Sequence, residues 1–208
     1  MNVKCFVNEI DFSCNVYICS DEKRTFIVDL GYYDEKIKNY LSSVPKVLFV
    51  LQTHGHFDHT MGLDAFIKDF PDTPVYIFSE EIEVAKNPVY NGAHSMLGNF
   101  FVPQVELLPL KAGNNRLFDF EVKVIHTPGH TKGSCMYYFN EDKLLFTGDT
   151  IIETSIGRTD LPTGDEATLF RSLKKFMNLS FDDDVTVLSG HGSFLTYKEL
   201  IKHNHFLR

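Results

Sequence analysis

Three imidazoles and a carboxylate crowd together at Thr53-His54-Gly55-His56-Phe57-Asp58-His59. The cluster follows the wholly apolar run Val47–Leu51 and precedes an amphipathic stretch, so it lies at a strand-to-helix junction where nearby side chains can converge on one point. Imidazole nitrogen and carboxylate oxygen are the donors that zinc takes; iron and manganese accept the same set. The chemistry such donors support is hydrolysis, by a water whose pKa a bound metal lowers toward neutrality. Further donors recur in the same context. His130 follows the strand-like EVKVI within IHTPGHTKGS, Asp149 ends LLFTGD, and His191 follows VTVLS within VTVLSGHG. Gly129, Gly148, Gly190 and Gly192 stand beside them and allow tight turns and close backbone approach. Four strands thus deliver His54, His56, Asp58, His59, His130, Asp149 and His191 from their C-terminal ends. Those donors suffice for two divalent metal ions, with zinc the first expectation.

The elements that must hold these residues can be read from periodicity. Val3–Ile10, Asn15–Ser20 and Thr25–Leu30 read as strands, Tyr33–Leu41 as a short helix and Val47–Leu51 as a buried strand. Residues from Asp58 to Phe70 read as one helix, ended by Pro71 and Pro74, and Val75–Phe78 as another strand. The stretch Asn87–Pro103 fits no period and reads as a long loop or flap beside the site. Val105–Leu110, Glu121–Ile125, Ser134–Phe139 and Lys143–Thr147 form a dense β region. Asp165–Met177 reads as an amphipathic helix, Val185–Ser189 as a last strand and Tyr197–His203 as a last helix. The strands fall into two sets, each interleaved with helices, which predicts an α/β fold of two sheets packed face to face with helices outside. No linker, repeat or low-complexity tract divides residues 1–208, which read as a single domain.

Composition narrows the function classes. Hydrophobic residues make up 43% and charged residues 23%, ordinary for a globular protein. The formal charge of −8 opposes a nucleic-acid backbone, so no nucleic-acid partner is expected. No apolar run approaches the roughly 18 residues of a spanning helix, and the N-terminus has no signal pattern, so no membrane partner and a cytoplasmic location are expected. Cys5, Cys14, Cys19 and Cys135 form no CxxC pair and read as free thiols. The remaining histidines read blandly: His126 packs beside the site, His94 lies on the flap within reach of a substrate, and His203 and His205 are surface or packing residues.

The motifs HGHFDH, TPGHT, GDT and SGHG, in that order over nearly the whole chain, resemble the metallo-β-lactamase fold family. The resemblance implies a four-layer αβ/βα sandwich. It implies one metal on His54, His56 and His130, a second on Asp58, His59 and His191, and Asp149 bridging both. Asp58 and Asp149 are the expected catalytic residues, Asp58 also orienting the attacking hydroxide. Within the family, SIGRTDLPTGD (Ser155–Asp165) looks closest to the glyoxalase II group, the hydroxyacylglutathione hydrolases, which implies a small-molecule thioester substrate. Arg158 falls where that group carries a basic residue near the thiol, and equally reads as an ion-pair partner of Asp160 or Asp165. Asp29 matches an acidic residue kept near the metal loop, with a plain turn residue as the alternative. Only 17 residues follow His191, so the helical glutathione-gripping domain of larger members is not expected. The β-lactamases proper, usually exported and with different ligand patterns, are set aside. The alternatives are a mononuclear-iron persulfide dioxygenase of the same fold, another hydrolase of this fold acting on a different thioester, a lactone or a phosphodiester, and a non-catalytic metal or redox module.

Overall fold

In the computed structural model, which describes residues 1–8 and 14–208, the chain opens with three strands, β1 (Asn2–Phe6), β2 (Val16–Ser20) and β3 (Thr25–Val28). The last two residues of the expected strand Val3–Ile10 lie outside the described residues. Helix α1 (Glu35–Leu41) follows, its N-terminus capped by the Asp34 carboxylate, which accepts from Ile37 N–H. Strand β4 (Val47–Gln52) leads into α2 (Phe57–Thr60) and α3 (Leu63–Asp69), then β5 (Val75–Phe78), α4 (Glu81–Ala85), α5 (Ala93–Leu97) and β6 (Leu107–Leu110). The six strands form one sheet in sequence order, with β3 to β6 all parallel.

The second half repeats the plan. Strands β7 (Gly113–Leu117), β8 (Phe120–His126), β9 (Cys135–Phe139) and β10 (Leu144–Gly148) are followed by a small hairpin of β11 (Ile151–Ile152) and β12 (Ser155–Ile156). Helix α6 (Glu166–Met177), strands β13 (Thr186–Ser189) and β14 (Leu195–Thr196) and helix α7 (Tyr197–His203) complete it. The second sheet has the order β14-β13-β10-β9-β8-β7. The expected two-sheet α/β sandwich is therefore the observed fold.

Alternation along the strands explains the layering. Tyr17, Phe26 and Phe49 point from the first sheet into a core shared with Phe120, Tyr137, Phe139 and Phe146 of the second. Their neighbours Val16, Ile18, Ile27 and Val50 point outward, onto Ile37 and Leu41 of α1 and Leu63 and Phe66 of α3. Ile125, Met136, Leu145 and Val187 meet Leu173 and Phe176 of α6 and Leu200 of α7. Strands covered on both faces read as continuous apolar runs, which is why VLFVL lacks a polar alternate.

Three expectations need correction. The helix from Asp58 to Phe70 is two helices, because Gly62 passes so close to residues 30–32 that a Cβ there would lie 2.5 Å from the Tyr32 carbonyl carbon. The loop Asn87–Pro103 contains α5, five residues bounded by Gly92 and Gly98 in left-handed conformation and too short to show a period. Strand β7 was not expected, since GNNRL is a polar edge strand exposed over most of its length.

The strand directions locate the functional edge. Strand β8 is antiparallel to β9, β9 is antiparallel to β10, and β10 is parallel to β13, so β8, β10 and β13 end on the same edge of their sheet. Bonds between the sheets join that edge to the end of β4: Tyr137 Oη donates to the Gln52 carbonyl at 2.7 Å, and Cys135 N–H to the Thr53 carbonyl at 3.0 Å. The four cysteines are free thiols, three of them buried. No helix among the described residues is long and apolar enough to cross a membrane.

The intersheet core gives a stability prediction. Phe26 stacks on Phe49 and Phe139, with ring centroids 5.3 and 4.6 Å apart, and meets Phe120 edge-on. Phe26→Ala is expected to cost about 3–5 kcal/mol in denaturant unfolding, whereas Phe170→Ala, on the exposed face of α6, costs about 0.5 kcal/mol or less. Equal costs would contradict the assignment of this core.

Candidate metal centre

All seven donor residues expected from the sequence meet at one place. Three groups have donor atoms mutually within 4.8 Å: His54, His56 and His130; His54, His59 and Asp149; and Asp58, His59 and His191. His54, His56, His59 and His130 are almost wholly buried, while His191 keeps 35% of its side chain exposed and Asp58 keeps 17%. The open side of the site is thus the Asp58–His191 side. Asp149 sits between the two halves. One carboxylate oxygen lies 3.4 Å from His59 Nε2, and the other lies 3.6 Å from His130 Nε2 and 3.4 Å from His191 Nε2.

The hydrogen bonds behind the imidazoles fix which nitrogen faces inward. Thr53 Oγ1 donates to Asp29 Oδ2 at 2.7 Å and therefore accepts from His54 Nδ1–H at 3.1 Å. His130 Nδ1–H donates to the Arg158 carbonyl at 2.7 Å. His59 Nδ1 lies 3.0 Å from Asp29 Oδ2. For His54 and His130 the proton is therefore on Nδ1 and the bare Nε2 turns toward the centre, the arrangement that outer carboxylates and carbonyls impose on ligand histidines.

Those bare nitrogens test the site for a cation. The Nε2 atoms of His54 and His130 face each other at 3.2 Å with no proton assigned to lie between them, and His56 Nε2 is buried without a hydrogen-bond partner. Lone pairs held in that opposition fit a cation and little else. Titration behaviour agrees. Burial, reinforced by neighbouring imidazoles, pushes His54 well below the usual histidine range, takes His56 down to about 3 and lowers His130, so all three are neutral donors at pH 7. On the other half burial opposes protonation of His191, but its bonds to Asp149 and Asp58 prevail and raise it to about 9. The nearby imidazoles hold Asp149 and Asp58 below the ordinary carboxylate range against the cost of burial. The residues thus offer a neutral three-nitrogen set and, beside it, a set of mixed oxygen and nitrogen donors in which protonated His191 is paired with the carboxylates of Asp58 and Asp149.

The loops come close enough to require glycine. A Cβ on Gly190 would overlap Asp149 Oδ1 and lie 2.7 Å from His59 Cε1. Asn15 secures the same loop, donating from Nδ2 to the carbonyls of Ser189 and Gly192 at 3.1 and 2.9 Å. Asp29 does more than turn the chain. It holds a left-handed φ of 55°, which aspartate tolerates better than most residues, and its Oδ1 accepts from Thr53 N–H at 2.8 Å.

The Arg158 side chain is exposed and held by Asp160 at 2.6 and 2.7 Å; only its backbone carbonyl reaches the site. His126 stacks on Phe78 and bonds to the Lys132 carbonyl, a packing role, and His94 is exposed and stacks on Phe100. Sequence reasoning missed Thr53, Asn15 and Glu81. Thr53 adjoins the motif and could have been suspected, whereas Glu81 sits in the acidic stretch SEEIE, which reads as a solvated helix start. It is in fact fully buried, and burial pushes its carboxyl up to about 7 against three hydrogen bonds.

The family model of the metallo-beta-lactamase superfamily matches residues 10–191. The chain belongs to that superfamily. It is 30% identical to a protein of Haemophilus influenzae named hydroxyacylglutathione hydrolase GloC, an alignment covering 100% of this chain and 98% of that one. Among solved structures it is similar to the BLEG-1 B3 metallo-beta-lactamase, with a TM-score of 0.89, 31% identity and 99% of each chain covered. It is also similar to TTHA1623 in a di-iron-bound form, with a TM-score of 0.81, 30% identity, and 97% of this chain and 98% of that one covered.

Asp29 yields the prediction for this site. Asp29→Asn cannot offer an anionic oxygen to both Thr53 Oγ1 and His59 Nδ1. Competition with a chromophoric chelator is expected to show metal affinity lowered about 10- to 100-fold, as removal of such outer partners does. Unchanged affinity would mean that His59 is oriented without Asp29.

Proposed function

We propose that this protein is a metal-dependent hydrolase that binds two divalent metal ions, zinc first, and cleaves thioesters of the S-hydroxyacylglutathione type. The observation that carries the metal-hydrolase reading is the position of Asp149, whose Oδ2 lies 3.6 Å from His130 Nε2 of one half and 3.4 Å from His191 Nε2 of the other, while its Oδ1 lies 3.4 Å from His59 Nε2. In this reading His54, His56 and His130 would hold one ion and Asp58, His59 and His191 the other, with Asp149 placed between the two sets. Bound there, the ions would lower the pKa of a water toward neutrality and polarise a carbonyl oxygen.

The protein's own groups supply the rest. Thr53, held by Asp29, keeps His54 in one tautomer and the Arg158 carbonyl does the same for His130, so these two donors need no rearrangement. Asp58 lies at the open side with its Oδ2 3.4 Å from His191 Nε2, where it can accept a hydrogen bond from the attacking water and orient it. The leaving thiolate is weakly basic and needs little acid assistance. Burial raises the thiols of Cys14 and Cys135 to about 11 and above that range, which argues against either as nucleophile.

The thioester reading is supported by the end-to-end similarity to the Haemophilus protein and by the segment Ser155–Asp165. Arg158, whose carbonyl bonds His130, and Lys132, two residues after His130, are each paired with an acid, Asp160 and Glu83, so neither cation supports the glutathione portion of the reading. The likeness to a protein named as a B3 metallo-beta-lactamase favours a second reading, hydrolysis of a cyclic amide, and the bound iron of TTHA1623 favours iron as the alternative metal.

Release of free thiol from S-D-lactoylglutathione is the test. Turnover that disappears with a chelator and returns with zinc is expected, with a cephalosporin turned over far more slowly. Cephalosporin cleavage without thioester cleavage would replace the first reading by the second. Absence of both from a metal-loaded protein would discard both substrates.

A further inference from the structure

We propose that Glu81 is the positioning residue for the His54, His56 and His130 half of the centre, clamping the two loops that deliver those histidines at a fixed separation. The inference rests on the metal-centre reading above. Glu81 Oε2 accepts from Gly55 N–H at 2.6 Å, and Gly55 is the residue between His54 and His56. Glu81 Oε1 accepts from Thr131 Oγ1 and from Gly133 N–H, both at 2.7 Å, and Thr131 is the residue after His130. One carboxylate therefore holds one ligand loop with each oxygen, across the gap between the two sheets. It bonds to none of the seven donor side chains, so it acts through the backbone that carries them.

The surroundings argue that this is more than a buried turn contact. A carboxylate with no exposed surface is costly unless fully bonded, and an apolar residue would avoid that cost. The three bonds are short, and all come from neutral donors on the ligand loops. Lys132 is close in sequence, yet its ammonium is directed at Glu83 instead. Helix α4 begins at Glu81 and is seated directly on the HGH loop: a Cβ on Gly55 would lie 2.6 Å from the Ala85 nitrogen and 3.0 Å from the Glu81 carbonyl oxygen. Gly133 is equally tight against residue 80, so the clamp and both loops form one packed unit. By contrast, the Asp58, His59 and His191 half is held by Asp29 and Asn15 and has no bond to Glu81. The inference is therefore selective, with one half of the centre depending on Glu81 and the other not.

Glu81→Gln keeps the shape but leaves one acceptor oxygen, so one loop loses its partner and faces an N–H donor. Metal-free full-length protein, wild type and variants, would be titrated with zinc against a chromophoric chelator to give two dissociation constants. Glu81→Gln is expected to weaken one site about 10- to 100-fold and leave the other unchanged. Thr131→Val, which removes a single donor, weakens the same site by a smaller factor. Added to His56→Ala, Glu81→Gln has no further effect; added to His191→Ala, it has its full effect. Equal weakening of both sites, or none, overturns the inference. If Glu81→Gln gives no cooperative melting transition, Thr131→Val decides by the same criterion. Wild-type protein without two zinc sites overturns the metal-centre reading and this inference with it, whereas two wild-type sites unaffected by Glu81→Gln overturn the inference alone.

Discussion

The bare Nε2 atoms of His54 and His130 face each other across 3.2 Å, and much of the fold serves to hold them in that opposition. Left to itself the pair is repulsive, since neither ring carries a proton on the facing nitrogen. Rotation of the rings is prevented from behind, by Thr53 and Asp29 on one side and by the Arg158 carbonyl on the other. The two histidines come from different sheets. Their separation therefore depends on how the sheets pack, and the aromatic core between them becomes part of the site's geometry. Phe26, Phe49, Phe120 and Phe139 set the spacing of the layers, and the Tyr137 to Gln52 bond ties the layers together at the functional edge.

Strand direction does the remaining work. Strands β4, β8, β10 and β13 all finish at one edge, so residues up to 137 positions apart in sequence, from His54 to His191, can share one centre. Loops anchored on buried strands are rigid, and rigidity is what lets a site hold like partners together without relaxing. His191 and Asp58 are the donors that keep some exposure, so the open side of the site is theirs.

Much of this was legible in the sequence, for identifiable reasons. VLFVL and VTVLS are buried on both faces and read directly as strands, and the seven donors stood at their ends or at the ends of similar runs. Helices with full caps, such as α6 behind Asp165, were also plain. The missed features share a cause in tertiary context. Gly62 breaks a helix because residues 30–32 pass behind it, β7 is polar because it lies at a sheet edge, and α5 is too short to express a period. Glu81 was invisible because an acidic residue among other acids reads as solvated, and only the fold reveals that both its oxygens point inward. Arg158 was noticed for its side chain, yet its backbone carbonyl is what touches the site.

The central claim is that these seven side chains form one two-metal centre. Anomalous diffraction from crystals grown with zinc, recorded on either side of the zinc edge, tests it most directly. The account requires two peaks, one among His54, His56 and His130 and one among Asp58, His59 and His191, with the Asp149 carboxylate between them. A single peak, or zinc bound elsewhere with the facing imidazoles unchanged, would contradict it.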